Sequence, residues 1–215
     1  MIYYEAVVGS RCFGLELPNS DMDIARIADD WPERKHEGIK HYLQRPREVV
    51  LSWLTYETMF PHSFQWLFPA EVISSGAVTD FFVAHREEFI SANLPAVWEV
   101  FWTMGNGLRA NASQYYRQFP KRLTYSTLRF DTLARYAQGI PFAQAFKPGE
   151  EMRQKLLAMR RCELPLEAAL AINSEVRNRA EKSAGFYRKS VDNQYLRQHR
   201  TNDLFRTKRN SDHEK

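Results

Sequence analysis

Gly9-Ser10 and, eleven residues after the serine, Asp21-Met22-Asp23 are the residues of this 215-residue chain whose types and spacing could do chemistry. A Gly-Ser pair where a strand runs into a helix leaves backbone N–H groups and a hydroxyl open to a phosphate. Two aspartates two apart on a strand point to one face, and carboxylates so close repel unless a cation lies between them. Their oxygen donors suit Mg²⁺ or Mn²⁺. Together these parts fit phosphoryl or nucleotidyl transfer, one ion activating an attacking hydroxyl and a second staying with a triphosphate. Such a site calls for a third carboxylate, and Glu48, at the start of the next expected strand, is the candidate. Asp29, Asp30 and Glu33 sit in an expected loop. Each half alone is ordinary: a turn, or two acids on a strand edge.

Positioning those residues is the task of the first 75. Residues 2–8, IYYEAVV, are β-branched and aromatic-rich and end at Gly9, as a strand ends in a turn. Residues 11–17 are helix-compatible, Pro18-Asn19-Ser20 breaks the chain, and 21–27 alternate polar and apolar as a half-buried strand does. Residues 29–46 carry Pro32, Gly38 and Pro46 and read as an excursion loop. Residues 48–53 return to strand character, and the β content is expected to end there. From Tyr56 the apolar spacing becomes helical, with segments expected over 63–68, 76–90, 94–116, 123–138, 150–161 and 166–187. The fold class expected is α+β: a small mixed β-sheet core (1–75), a helical bundle (76–190) and a basic tail (191–215).

The stretch Gly9-Ser10-Arg11-Cys12-Phe13-Gly14-Leu15, followed by Asn19-Ser20-Asp21-Met22-Asp23, resembles the signature of the polymerase β type nucleotidyltransferase superfamily. Its wording is similar to the branch of predicted nucleotidyltransferases described as an RNA repair pathway DNA polymerase β family. Residues 63–73, 123–139 and 156–163 continue the likeness. The resemblance implies that Gly9, Ser10 and Arg11 cradle a nucleoside triphosphate. Asp21 and Asp23 would bind two Mg²⁺, and Glu48 would take the third acidic position, where Asp is usual. Gln65 stands where the family tends to carry Glu, and Ser126 where it tends to carry His.

The implied activity is transfer of a nucleoside monophosphate to a hydroxyl acceptor, an RNA 3′ end being favoured. Two other readings use the same residues: an antitoxin-like enzyme placing AMP on a protein acceptor, and a non-catalytic nucleotide- or RNA-binding module.

Composition sets the frame. With 44% hydrophobic residues and this length, the chain can bury a core without disulfides or structural metal. Cys12 and Cys162 stand alone, with no zinc-like spacing, and no apolar run is long enough for a membrane span. A cytoplasmic, non-membrane protein is expected. Net charge is +4, but residues 177–209 hold ten Lys or Arg against three acids, so this stretch carries +7 and the remainder −3. A basic end on a near-neutral body can meet phosphates. The six histidines lack ligand spacing, Ser10 lacks triad partners, and the aromatic run 97–102 reads as a core helix face. Arg109, Gln114, Arg117, Lys121, Arg122 and Arg129 lie on or between two adjacent helices. Of these, Lys121 and Arg129 are expected at the nucleotide.

Overall fold

The structure, a computed structural model, describes residues 2–29, 39–44, 67–92, 94–110, 112 and 116–188. β1 (Ile2–Val8) buries Tyr4, Ala6, Val7 and Val8 because it lies inside a sheet. The strand order is β3-β2-β1-β4, with β2 at Met22–Ala28, β3 at Ile39–Gln44 and β4 at Glu71–Ser74. β1 runs antiparallel to β2 and β4, and β2 runs parallel to β3, so the sheet is mixed. An ion pair holds the β1–β2 register. Glu5 stands opposite Arg26, whose Nε and Nη2 both donate to Glu5 Oε2, at 2.9 and 2.7 Å. Opposite charges directly across a ladder stabilise one register, and a slip by one residue would turn every side chain to the other face.

Two expectations about the sheet need correction. Residues 39–44, IKHYLQ, expected as loop, form β3; the segment pairs in a parallel ladder with β2, which no strict apolar alternation announces. β content also does not end at Trp53, because β4 follows at 71–74. All four of its residues are exposed, so burial leaves no pattern in the sequence there. The strand expected at 48–53, most of the helix expected at 63–68, and the tail 191–215 lie outside the described residues.

The helices are α1 (Ala77–Ala84), α2 (Arg86–Ala92), α3 (Leu94–Ala110), α4 (Pro120–Ala137), α5 (Phe142–Ala145), α6 (Glu150–Arg160), α7 (Leu166–Lys182) and α8 (Ala184–Tyr187). The segment expected as one helix over 76–90 is cut at His85. α5 was not foreseen; the Glu87 carboxylate of α2 accepts from the N–H groups of Phe142 and Ala143 at its start, at 2.9 and 2.8 Å. Pro120 opens α4 at its first turn, where its missing N–H costs nothing.

α4 is the central helix, with ten buried residues. α3 crosses it at Gly105, where a Cβ would stand 2.7 Å from the Phe130 ring, so only glycine permits this approach without a shift. Ser126 Oγ donates to Gly105 O at 2.7 Å. Asn173 Nδ2, from α7, donates to Ser126 Oγ at 3.0 Å and to Thr127 Oγ1 at 2.9 Å. Ser126 is thus fully buried at a three-helix junction.

One hydrophobic cluster takes residues from sheet and helices alike. Phe13 meets Phe146 at 4.8 Å, and Phe68 meets Phe142 at 5.3 Å. Val97 and Phe101 are buried and Trp98 stacks on Trp102 at 4.7 Å, so the aromatic run is a packing face as expected. Of the basic stretch, Arg177 lies 4.8 Å over Trp102 and pairs with Glu181, while Arg179 lies 3.8 Å from Asp131. No helix among the described residues is long and apolar enough to cross a membrane.

Asp131, inside α4, is 2% exposed, and its Oδ2 has no hydrogen-bond partner. Burial raises its carboxyl above the ordinary value, although Arg135 and Arg179 pull the other way. A carboxyl whose folded pKa is raised binds its proton more tightly in the native state, so stability falls as pH rises from the unfolded value of 3.8 through the folded one. Asp131→Asn removes that dependence. Urea unfolding at about pH 4.5 and pH 7 should show the variant gaining on the wild type at the higher pH.

Candidate functional site

Gly9 ends β1 with φ +73°, and a five-residue 3₁₀ turn, Gly9–Phe13, follows. The turn stops at Gly14, also left-handed at φ +63°, whose N–H donates to Arg11 O. The helix-compatible segment expected over 11–17 is therefore shorter and starts earlier. Leu15 N–H closes back onto Ser10 O at 3.0 Å. The return to β2 is held by Ser20, whose N–H donates to Leu17 O and whose Oγ accepts from Leu17 N–H, both at 2.9 Å.

The register that places Glu5 opposite Arg26 places Val8 opposite Asp23, next to Gly9. The Asp23 side chain lies directly over the Gly9 backbone. A Cβ on Gly9 would fall 2.7 Å from Asp23 Cγ and closer still to Oδ2. Glycine is required here twice over, by its positive φ and by this contact. Asp23 and Asp21 are both half-buried, Asp21 one residue ahead of the strand. Ser10 is 4% exposed and Arg11 is exposed.

The strand beside Asp23 is β3, and Lys40 is its register partner. Glu48 was expected to open a later strand, over 48–53, beside Asp21 and Asp23; Glu48 and Gln65 lie outside the described residues. Among the described residues no group of three His, Cys, Asp or Glu side chains could hold a metal.

The helical half supplies the opposite charge. Arg160, at the end of α6, is 4% exposed; its Nη1 donates to Leu15 O and its Nη2 to Ser20 Oγ at 3.3 Å. It thereby fastens the segment between the Gly-Ser turn and the aspartates to the bundle. Tyr125 of α4 meets Phe13 edge-on at 5.9 Å. Burial raises its hydroxyl pKa, and the charges of Arg160, Asp23 and Arg129 all reach it.

Arg129 lies one turn further along α4. It is half-buried. Burial lowers its pKa to about 10, against a smaller opposing pull from Tyr125. A guanidinium remains charged at neutral pH even so, and it retains five donors for an anion.

Of the two helical cations expected at the nucleotide, the structure brings Arg129 into this group. Lys121 is exposed in the first turn of α4, about 12 Å along the helix axis from Arg129. Tyr125 and Arg160 were not foreseen. Tyr125 could have been found from its spacing of four to Arg129, whereas nothing local marks Arg160. Cys12, between the motif residues, is no nucleophile: burial pushes its thiol up to about 12. No family model matches the chain, and no curated protein matches it.

Gly9→Ala should destabilise the fold by about 2 kcal/mol or more, through strain at positive φ and displacement of Asp23. Denaturant unfolding measures it. Gly149→Ala, with open space around its Cβ position and an ordinary φ, is the control and should cost less, the part due to losing glycine at the N-cap of α6.

Proposed function

We propose that the chain is a metal-dependent nucleotidyltransferase that moves a nucleoside monophosphate from a nucleoside triphosphate to a hydroxyl acceptor, an RNA 3′ end, releasing pyrophosphate. The observation that carries the proposal is the Asp23 carboxylate set over the Gly9 backbone at the end of β1, with Tyr125 packed on Phe13 of the same turn and Arg129 one turn further along α4. A carboxylate end that suits a hard cation and a cationic end that suits phosphate are the two halves of a triphosphate site.

The donor set fits the implied ion, since Asp21 and Asp23 offer carboxylate oxygens and glycine leaves the Asp23 carboxylate its place. Asp21 and Asp23 would hold Mg²⁺ or Mn²⁺, which supplies charge neutralisation at the phosphates and lowers the pKa of the acceptor hydroxyl. The chain's own part is positioning and electrostatics. Gly9 admits close approach to the backbone. Arg129 would take phosphate oxygens and stabilise the charge that builds as the bond to pyrophosphate breaks. Arg160 acts through the loop it fastens, holding Ser20 and hence Asp21. The acceptor oxygen bonds to the α-phosphorus, its proton leaves to solvent, and pyrophosphate departs with the electrons of the broken bond.

A second reading, a nucleotide-binding module without turnover, is favoured by Lys40 at the register position beside Asp23. Calorimetry with triphosphate and Mg²⁺, paired with a pyrophosphate assay, separates the two; binding without release supports the module.

Asp21→Asn and Asp23→Asn should each abolish pyrophosphate release while leaving the unfolding midpoint near the wild-type value; retained turnover would refute the mechanism. Arg129→Met tests the cationic end separately. Removing a desolvated charge should leave the unliganded protein as stable or more so. The same variant should lose most of the thermal stabilisation that a triphosphate confers, and raise KM about tenfold or more.

A further inference from the structure

The residues just ahead of α4 belong to neither the sheet site nor the core. Phe119 is 50% exposed, and the Arg122 guanidinium lies 5.2 Å over its ring. Arg117 and Lys121 beside it are exposed, and Arg122 is half-buried. From Val100 to Phe130 the sequence holds Arg109, Arg117, Lys121, Arg122 and Arg129 and no acid, a local +5 in a chain of net +4. Val72 and Ile73 on β4 are also exposed, but they follow Glu71 with no neighbouring cation in sequence.

α4 connects this patch to the site. Arg122, Tyr125 and Arg129 follow at spacings of three and four, which places them along one helix face. From Arg129 back to Arg122 is about 10 Å of helix, and to Phe119 about 15 Å. For a stacked strand advancing about 3.4 Å per nucleotide, that is about three to four steps.

We propose that Phe119, with Arg117, Lys121 and Arg122, is the platform on which a single-stranded nucleic-acid acceptor docks, three to four nucleotides from its reacting end. A base stacks against the exposed part of the Phe119 ring, and the three cations take backbone phosphates. Charge complementarity selects a polyanion, and the exposed ring selects one with free base faces over a duplex. That the strand is an acceptor rests on the nucleotidyltransferase reading; the binding does not.

Fluorescence anisotropy with a labelled oligoadenylate RNA tests the platform, using the wild type, Phe119→Ala, Phe119→Leu, Phe119→Trp and Lys121→Ala. Phe119→Ala and Phe119→Leu should weaken binding about fivefold or more, and Phe119→Trp should preserve it. Lys121→Ala should reduce the slope of log affinity against log salt by about 0.7. Thermal unfolding of the Phe119 variants should match the wild type, since half the ring is already in water.

Equal affinity for all Phe119 variants overturns the platform. So does preference for the duplex, or binding to phosphatidylserine vesicles or to a protein acceptor in place of the strand. Pyrophosphate release on the same preparations keeps the two readings apart. Strand binding lost to Phe119→Ala in a protein that releases no pyrophosphate refutes the transfer reading alone. Release with no ring-dependent strand binding refutes the platform alone.

Discussion

The contact of the Asp23 carboxylate with the bare backbone of Gly9 is the constraint on which the site depends. It requires a residue without Cβ in the left-handed region at the end of β1, and a β1–β2 register that sets Val8 opposite Asp23. The register is secured three residues away along the ladder, by the Glu5–Arg26 pair. A local turn and a long-range pairing must therefore agree before any carboxylate faces the turn.

The bundle contributes more than bulk. α4 is held by α3 at Gly105 and by α7 through Asn173, so the helix face carrying Tyr125 and Arg129 is set by packing rather than by the site. Close-packed interiors transmit position faithfully. Arg160 completes the linkage from the other side by grasping Leu15 and Ser20, and the shared aromatic core around Phe13, Phe142 and Phe146 joins sheet to helices. A desolvated arginine is costly in the free protein, and an anionic ligand offsets that cost.

Legibility differed by element for physical reasons. β1 announces itself because both its faces are covered and its residues are β-branched or aromatic. The long helices announce themselves because each buries one stripe. β3 mixes apolar and polar residues without alternation, β4 is exposed throughout, and α5 is four residues long with a cap borrowed from Glu87 on another helix. Such elements owe their existence to partners distant in the chain, and no local pattern records them. The same holds for Arg160, which is one arginine among many until α6 is packed against the loop. Ser126, which resemblance put in line with an acceptor-side histidine, is instead taken up by Gly105 and Asn173.

What the sequence by itself determined was the set of local requirements: a glycine free to turn at the end of a strand, two aspartates beside it, and an amphipathic series of helices. These follow from steric and periodic rules that act within a few residues. Tertiary structure alone decided that Asp23 rests on Gly9, that Lys40 is its register partner on β3, and that Arg129 is half-buried one turn from Tyr125 while Lys121 is exposed two turns away. Those outcomes depend on strand register and helix rotation, which are set by the whole core at once.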